Sequence, residues 1–195
     1  GRVRRAKLYY LRKLRGKEAD KTGAANWLAD HFNTAVQGTR FMLHAANGAH
    51  LILGTKNLGK ASAAFTKLSK GRVPQWTPAM PQPLQRLHLP KPSTQDERPR
   101  VVYLAACVSR AMGPAARDQE QEPLLDVTHK LLEKAGYQVV FPDDLNNLCC
   151  GQPFASKGYA EQAERKRQET LDALLRASRG GLDPIYCDTS PCTLR

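Results

Sequence analysis

The chain has 195 residues, of which 41% are hydrophobic and 25% are charged, and its formal net charge is +12. This length allows one sizeable hydrophobic core or two small ones, and it excludes a large multidomain enzyme. No apolar run approaches the roughly 20 residues that cross a bilayer, and no apolar stretch follows the N-terminal arginines as in a secretory signal. We therefore expect neither a transmembrane segment nor a leader.

The basic charge lies in the first half of the chain. Residues 1–21 contain nine basic and two acidic side chains, and residues 22–100 contain ten and three. Residues 101–195 contain eleven basic and thirteen acidic side chains, together with all five cysteines. A dense basic region attracts phosphate backbones or acidic lipid surfaces, although a solvated basic face without a partner is an equally ordinary interpretation. The two halves are expected to differ in chemistry.

The first 72 residues divide into two predicted segments. Residues 1–22 are strongly basic, and their Leu-Tyr-Tyr-Leu block predicts a short strand followed by a basic tail. Residues 23–72 predict about three helices, punctuated by Gly38, Gly54 and Gly71. The predicted apolar positions of these helices are Trp27, Leu28, Phe32, Val36, Phe41, Ala45, Leu51, Ile52, Leu58, Ala61, Phe65 and Leu68.

Residues 73–100 form a proline-rich segment. Its seven prolines are spaced so that neither a helix nor a central strand can form. The segment is therefore predicted to be an extended linker. We expect it to pack poorly on the following domain, as we also expect of the basic N-terminal segment.

Residues 101–195 alternate strand and helix patterns. The runs "RVVYLAAC", "YQVVFP" and "PIYC" predict three buried strands. The first helix is predicted to open at Pro123, with an apolar stripe of Leu124, Val127, Leu131 and Ala135, and to stop at Gly136. The second is predicted over about residues 158–178, capped near Ser156. This β-α-β-loop-α-β pattern predicts an α/β fold with a three-stranded parallel sheet, half of a Rossmann-like domain.

The predicted topology brings the cysteines together. Cys107 follows the first strand, Cys149 and Cys150 lie in the loop after the second, and Cys187 ends the third. Cys192 can return to the same place through a turn at Pro191. The carboxyl edge of an open parallel sheet is where ligands bind. We therefore expect the five thiols to converge at this edge.

Several chemistries suit such a group of thiols. Five thiolates exceed the four ligands of a structural zinc site, so their number favours an iron–sulfur cluster. A zinc site, a set of simply buried cysteines and a strained vicinal disulfide between Cys149 and Cys150 remain alternatives. Gly151 fits a ligand loop, because a residue without a side chain lets backbone amides approach a cluster or adopts a positive φ. An odd number of cysteines also favours a reducing compartment.

The cysteine spacing resembles a known domain. The arrangement of the cysteines is similar to one copy of the cysteine-rich CCG domain. Along the chain, Cys107 is followed by forty-one residues, "CCG", thirty-five residues, Cys187, four residues and Cys192. That domain occurs in heterodisulfide reductases, in iron–sulfur subunits of glycolate and lactate oxidases, and in anaerobic glycerol-3-phosphate dehydrogenase. The final C-x4-C spacing departs from the C-x2-C of the heterodisulfide reductases, which leaves the cluster type open.

A closer resemblance covers about residues 24–195. The motifs "YLAACVSRAMGP", "LCCGQPFASKG" and "YCDTSPCTLR" resemble the C-terminal part of bacterial FAD-linked D-lactate dehydrogenases. The resemblance implies an electron-transfer module with an iron–sulfur cluster of 4Fe–4S type. Its implied ligands are Cys107, Cys149, Cys150, Cys187 and Cys192, with Gly151 beside the cofactor.

The same resemblance implies the surroundings of the module. Its partners would be a flavin-bearing domain or subunit, a second CCG repeat, and an electron carrier such as a quinone. FAD would bind a part of the parent oxidoreductase outside this chain, so we expect no catalysis by the chain alone. The implied location is cytoplasmic or peripheral at the inner face of the bacterial membrane.

The basic segment has a resemblance of its own. "GRVRRAKLYYLRKLRGKEA" is similar to the C-terminal tail of bacterial large-subunit ribosomal protein nineteen. The alternative function is therefore an RNA-binding segment fused to a passive domain. Phosphate pairing and stacking beside Tyr9 and Tyr10 would then involve Arg2, Arg4, Arg5, Lys7, Arg12, Lys13 and Arg15. The competing interpretation is a joined basic piece without a role of its own.

Overall fold

The computed structural model describes residues 17–71, 75–84, 89, 96–115, 118 and 121–194. The seven basic side chains proposed to contact RNA, Arg2 to Arg15, lie outside the described residues, as does the predicted strand near them. No helix in the part of the chain that the structure describes combines the length and apolarity needed to cross a membrane.

The chain is built of seven α-helices and five strands within those described residues. They are α1 (Lys17–Asp30), α2 (Phe32–Leu68), β1 (Pro81–Pro83), β2 (Arg100–Leu104), α3 (Cys107–Ala111), β3 (Met112–Ala115), α4 (Leu124–Lys134), β4 (Gln138–Val140), α5 (Gln152–Ala155), α6 (Ala160–Ala177), β5 (Ile185–Cys187) and α7 (Ser190–Thr193). A 3₁₀ turn over Leu145–Asn147 precedes the vicinal cysteines.

Three parallel strands form the central sheet. Strand β2 lies in the middle, with β4 on one side and β5 on the other. Residues 101–104 of β2 are all buried, as the continuous apolar run predicts. This sheet and its helices confirm the predicted α/β fold.

The chain order makes the carboxyl edge of this sheet a place where ligands can bind. The connection from β2 leads through α4 to β4, and the connection from β4 leads through α6 back across the sheet to β5. Right-handed crossovers in opposite directions put α4 and α6 on opposite faces. In open parallel sheets, ligands bind where neighbouring strands send their connections to opposite faces, a condition that β2 and β4 meet here.

Helix α4 buries a different stripe from the predicted one. Leu125 and Thr128 are buried, whereas Leu124, Val127 and Leu131 are exposed. The predicted stripe is wrong because the helix carries apolar residues on two faces, and the core that contains Tyr103 and Val139 receives Leu125 instead. The predicted stop is confirmed: the helix ends before Gly136, whose φ is +89°.

The second predicted helix is shorter than expected at its start. Helix α6 begins at Ala160, and the position before it is occupied by Tyr159 rather than by a capping Ser156. Ser156 instead follows the short helix α5, and its hydroxyl donates to the carbonyl of Pro153 at 3.1 Å. A local turn-forming hydrogen bond of this kind competes with a capping role.

The helical segment breaks at two of the positions expected from its glycines. Helix α2 loses helical dihedrals at Gly54 (φ 71°, ψ 166°), and Gly71 lies beyond its end with a φ of +76°. Gly38 lies within regular helix, so the break predicted there is wrong, and the first break falls at His31 instead. A single glycine costs a helix only about 1 kcal/mol, which neighbouring residues can offset.

Only the first part of the helical segment contributes to the core. Ala29, Phe32 and Val36 are buried in a cluster with Phe154 and Ala163. In contrast, several predicted apolar positions are exposed: Trp27, Leu28, Phe41, Leu51, Ile52, Phe65 and Leu68. Helical spacing identified a continuous apolar face, but among its predicted positions only the portion beside α5 and α6 enters this buried cluster.

Replacement of Phe32 tests this packing. We expect Phe32→Ala to lower the free energy of unfolding of the full chain by about 3 kcal/mol, since its ring is buried 6.3 Å from the ring of Phe154. The matched control is Phe41→Ala, because Phe41 is 72% exposed and its loss should cost less than about 0.5 kcal/mol. Urea unfolding of both variants gives the values, and equal midpoints would contradict the packing.

The proline-rich segment is attached to the cysteine-containing part. Strand β1 pairs antiparallel with β3, and the amide of Leu84 donates to the carbonyl of Ala111 at 3.1 Å. Trp76 is buried and stacks on His50, with ring centroids 4.6 Å apart. The expectation of poor packing is therefore wrong for residues 75–84. Prolines fit here because a two-stranded ribbon has only edge strands.

The division of the chain at residues 1–22, 23–72, 73–100 and 101–195 stays a prediction.

Candidate metal centre

The five cysteines lie around the carboxyl edge of the sheet. Cys107 is the first residue of α3, shortly after β2, and Cys187 is the last residue of β5. Cys149 and Cys150 follow the 3₁₀ turn that comes after β4, and Cys192 lies in α7. These positions agree with the predicted topology, including the return of Cys192 beside Pro191 through a short helix rather than a simple turn.

The thiols form one continuous series of contacts. Hydrogen bonds link Cys107 to Cys149, Cys149 to Cys150, Cys150 to Cys192, and Cys192 to Cys187. All five cysteines are free, so no vicinal disulfide is present between Cys149 and Cys150. Three separate connections of the fold thus deliver their sulfur atoms to one place.

The two ends of this series favour the thiolate form. The hydrogen bond from Cys149 lowers the pKa of Cys107 to about 7, against the effect of burial, and the charge of Arg110 adds to the lowering. The hydrogen bond from Cys192 likewise lowers the pKa of Cys187 to about 7. The hydrogen bonds of Cys149 with Cys107 and Cys150, and those of Cys192 with Cys150 and Cys187, together with burial, raise the pKa values of Cys149 and Cys192 well above the ordinary thiol range. Two thiols are therefore predisposed to act as anionic ligands near neutral pH.

Access to the sulfur atoms differs between the two sides of the site. Cys149 and Cys150 are buried, whereas the other three cysteines are half-buried. A cavity of about 300 Å³ opens beside Cys150, Cys187 and Cys192. It has apolar walls that include Leu104, Leu171, Leu174 and Ile185, with Arg167, Thr170 and Thr193 also lining it. The interior side of the site has little free space, with a cavity of only about 10 Å³ beside Cys107 and Cys149.

Gly151 is required by its surroundings as well as by its conformation. Its φ is +84°, and a Cβ atom on it would lie 2.2 Å from the carbonyl oxygen of Ala163. Its amide donates to the sulfur of Cys149 at 3.5 Å. The cysteine loop therefore lies directly against the backbone of α6, at a distance that only glycine permits. The expected positive φ of Gly151 is confirmed. The expected position of Gly151 beside a cofactor stays a prediction.

Thr170 of α6 holds the backbone of the vicinal pair. The amide of Cys149 donates to the Thr170 hydroxyl at 3.2 Å, and that hydroxyl donates to the carbonyl of Cys149 at 2.9 Å. One buried hydroxyl thus satisfies both backbone groups of a residue that lies outside any helix or strand, as buried polar groups require.

Arg110 is a buried cation next to the sulfur atoms. It is 1% exposed and lines the small interior cavity together with Cys107 and Cys149. Its guanidinium donates to the carbonyl of Leu145, and to that of Leu148 at 2.6 Å, which fixes the loop ahead of the vicinal cysteines. Its Nε is buried without a hydrogen-bond partner among the described residues.

Asp188 joins two of the cysteine-bearing segments. Its carboxylate accepts hydrogen bonds from the amide of Ala106 and from the hydroxyl of Tyr103, both at 2.9 Å. Asp188 directly follows Cys187, and Ala106 directly precedes Cys107. This carboxylate therefore sets the spacing between the ends of β5 and β2.

Neither Arg110 nor Asp188 is among the residues predicted from the sequence. Each lies within three positions of a cysteine and is a charged residue beside an apolar run, "YLAACVSRAM" or "PIYCD". That placement is the signal that could have identified them, because a charge near an apolar strand end must find a partner.

Substitution of Asp188 should loosen the site. We expect Asp188→Ala to reduce the free energy of unfolding by about 2–3 kcal/mol, because a buried hydroxyl and an amide lose a charged acceptor. Asp143→Ala, at an exposed aspartate, is the control and should change it by less than about 0.5 kcal/mol. Thermal and urea unfolding measure both, and an Asp188→Ala variant as stable as the control would contradict this assignment.

The geometry does not converge on a single ion. Across the described ranges, no group of three or more His, Cys, Asp or Glu side chains is placed to hold one metal ion. The ligands of an iron–sulfur cluster are thiolates bound to different iron atoms, so they need not point at one position. The extended series of thiol contacts is compatible with such a ligand set.

Comparison with known proteins supports this description of the C-terminal half. Residues 101–195 match the family model of the cysteine-rich domain CCG. The match begins in β2 and includes all five cysteines. No curated protein and no solved structure gave a significant match to the chain.

Proposed function

We propose that Cys107, Cys149, Cys150, Cys187 and Cys192 hold an iron–sulfur cluster and that residues 101–195 serve as an electron-transfer module. The observation that carries this proposal is the meeting of five free thiols from three connections of the fold around two adjoining cavities. The small cavity is lined by Cys107, Cys149, Cys150 and Cys192, and the open one by Cys150, Cys187 and Cys192. The match to a cysteine-rich domain over the same residues supports it.

The unpaired nitrogen of Arg110 tests whether the site suits such a cofactor. A buried guanidinium nitrogen without an acceptor carries a large desolvation cost. An anionic, sulfur-rich group held by the neighbouring cysteines would supply the negatively charged hydrogen-bond acceptor that this nitrogen lacks. The donor set is also chemically suitable, because thiolates are the usual ligands of iron–sulfur clusters. The residues present therefore fit the group.

The chain's own residues have separable parts in this proposal. Cys107 and Cys187 offer thiolates, while Thr170 holds the backbone of Cys149 and the amide of Gly151 donates to the Cys149 sulfur. When bound, the cluster supplies reversible one-electron chemistry. The fold leaves only about 10 Å³ on the interior side, so the 300 Å³ cavity is the wider approach to the site.

We extend the proposal to the parent enzyme on the strength of the sequence resemblance. The module would belong to an FAD-linked D-lactate dehydrogenase-like oxidoreductase and would pass electrons from a flavin-bearing domain to a quinone or another carrier. A second CCG repeat would be its neighbour in that assembly. The apolar walls of the open cavity suit an approach by an apolar acceptor or a protein surface.

Anaerobic reconstitution tests the module directly. The full chain is incubated with ferrous iron and sulfide, desalted, and followed by visible absorbance through a cycle of dithionite reduction and air-free reoxidation. We expect charge-transfer absorbance that bleaches and returns. Protein whose thiols are alkylated beforehand is the control and should stay colourless. A desalted wild-type chain without visible absorbance would contradict the proposal.

The chain alone should not oxidise D-lactate. The resemblance assigns the hydride acceptor to a flavin domain outside this chain, and a dehydrogenase needs that cofactor held against its substrate. We therefore expect no lactate-dependent dye reduction by the reconstituted full chain, in an assay where dithionite-reduced protein does reduce the dye. Turnover with lactate that disappears on cysteine alkylation would show a complete active site in this chain.

A further inference from the structure

Arg110 carries a buried charge without a carboxylate partner. Across the described residues its guanidinium forms no ion pair with Asp or Glu, and its hydrogen bonds go to neutral carbonyls. The ionisable groups near it are Cys107, Cys149, Asp188 and Arg40. Burial lowers the pKa of Arg110, and the two thiols and Asp188 oppose that effect in this order. An arginine side chain is almost never buried in this way without a compensating negative charge.

The position of the guanidinium is fixed from several sides. The carbonyls of Leu145 and Leu148 accept hydrogen bonds from its two terminal nitrogens. Arg40 of α2, in contrast, contacts only the backbone carbonyl of Arg110, through Nε at 3.2 Å and through a neighbouring nitrogen. The side chain therefore cannot move away to water. Its charge lies beside Cys107 and Cys149, with which it lines the interior cavity.

We propose that Arg110 is the resident counter-cation of the cysteine site and that its charge raises the reduction potential of the cluster held there. This inference rests on the proposed function. Reduction transfers one electron from an external donor to the cluster, with no bond formed or broken, and makes the site more negative by one charge. A fixed, buried positive charge favours that reduced state and is little screened by salt.

A purely structural role of Arg110 predicts a different result from an electrostatic role. If the side chain only ties the carbonyls of Leu145 and Leu148, then replacement by lysine or by glutamine should disturb the loop to a similar degree. If its charge sets the potential, lysine should preserve the potential and glutamine should not. The two substitutions therefore separate charge from cross-linking.

The experiment compares four reconstituted full-length proteins: wild type, Arg110→Lys, Arg110→Gln and the control Arg40→Gln. Arg40 contributes a guanidinium that contacts the same residue through its backbone, without lining the interior cavity. Midpoint potentials are measured by redox titration followed by electron paramagnetic resonance. Iron and sulfide are determined on each sample, and circular dichroism reports folding.

We expect Arg110→Gln to lower the midpoint potential by about 59 mV or more, a tenfold change in a one-electron equilibrium. Arg110→Lys and Arg40→Gln should shift it by less than about half of that amount. If folded Arg110→Gln loses its iron while Arg110→Lys keeps it, a requirement for the charge is likewise supported. If Arg110→Gln does not fold, the lysine variant decides, because a potential lowered by about 59 mV despite the retained charge contradicts the inference.

Equal potentials in wild type and Arg110→Gln at equal iron content would refute the inference and leave the proposed function intact. A wild-type chain that takes up neither iron nor sulfide would refute the proposed function, and this inference with it.

Discussion

Replacement of Cys150 by serine is expected to reduce the iron retained by the reconstituted chain about tenfold or more. Cys150 is the central member of the thiol series, since it contacts Cys149 on one side and Cys192 on the other. Of the five cysteines, Cys150 and Cys192 border both the small interior cavity and the open cavity. A hydroxyl in its place is a poor ligand for iron and interrupts the series.

Iron content after desalting, with visible absorbance, measures this effect. Thr193→Ser is a matched control, because it shortens another side chain on the open cavity without removing a thiol. The control should keep wild-type iron. Full iron in Cys150→Ser would show that the vicinal pair does not act through both sulfurs and would remove Cys150 from the proposed ligands.

The second large effect is expected from Gly151→Ala. The left-handed backbone costs a non-glycine residue about 1–2 kcal/mol, and the added Cβ atom would in addition collide with the carbonyl oxygen of Ala163 at 2.2 Å. Either the cysteine loop or α6 must move. We expect a total loss of stability of about 4 kcal/mol or more, together with loss of iron uptake.

Gly158→Ala separates the two causes. Gly158 also has a positive φ, +86°, but no atom lies within 4 Å of the position that its Cβ would take. The free energy of unfolding of this variant should fall only by the backbone contribution of about 1–2 kcal/mol. Urea unfolding of both alanine variants gives the comparison. Similar stabilities for the two would mean that the loop is not held tightly against α6.

The sheet and the convergence of the cysteines are predictable because both follow from local patterns. A continuous apolar run such as that of β2 indicates a strand buried on both faces, and the parallel topology then places residues after each strand at one edge. Cys107, Cys149 and Cys187 follow strands in this way, so their approach depends on topology rather than on any particular side-chain packing.

The partners of the helices are less predictable. Periodicity marks the apolar residues of α4, but it does not tell which of two apolar faces meets the sheet, and Leu125 is buried instead of Leu124. The same applies to α2, where Phe32 finds Phe154 while Phe41 stays exposed. The choice depends on tertiary contacts that a local window does not contain. Leu125 packs with Tyr103 and Val139 of the sheet, and Phe32 packs against Phe154, more than a hundred positions away.

The charged residues of the site show the same limit. Arg110 is buried because carbonyl groups 35 and 38 residues later in the chain receive its hydrogen bonds. Asp188 is tied to Ala106 and Tyr103, which precede it by 82 and 85 residues. Such partners exist only after the loop and the strands have been placed, so the sequence pattern identifies the thiols but not the groups that hold them.

Metal and sulfide analysis of the full chain, purified without oxygen, tests the central claim most directly. An iron–sulfur module should contain iron and acid-labile sulfide in similar amounts, with zinc present only in traces. Stoichiometric zinc without sulfide, or a chain that contains neither metal under these conditions, would contradict the assignment of the five cysteines to a cluster.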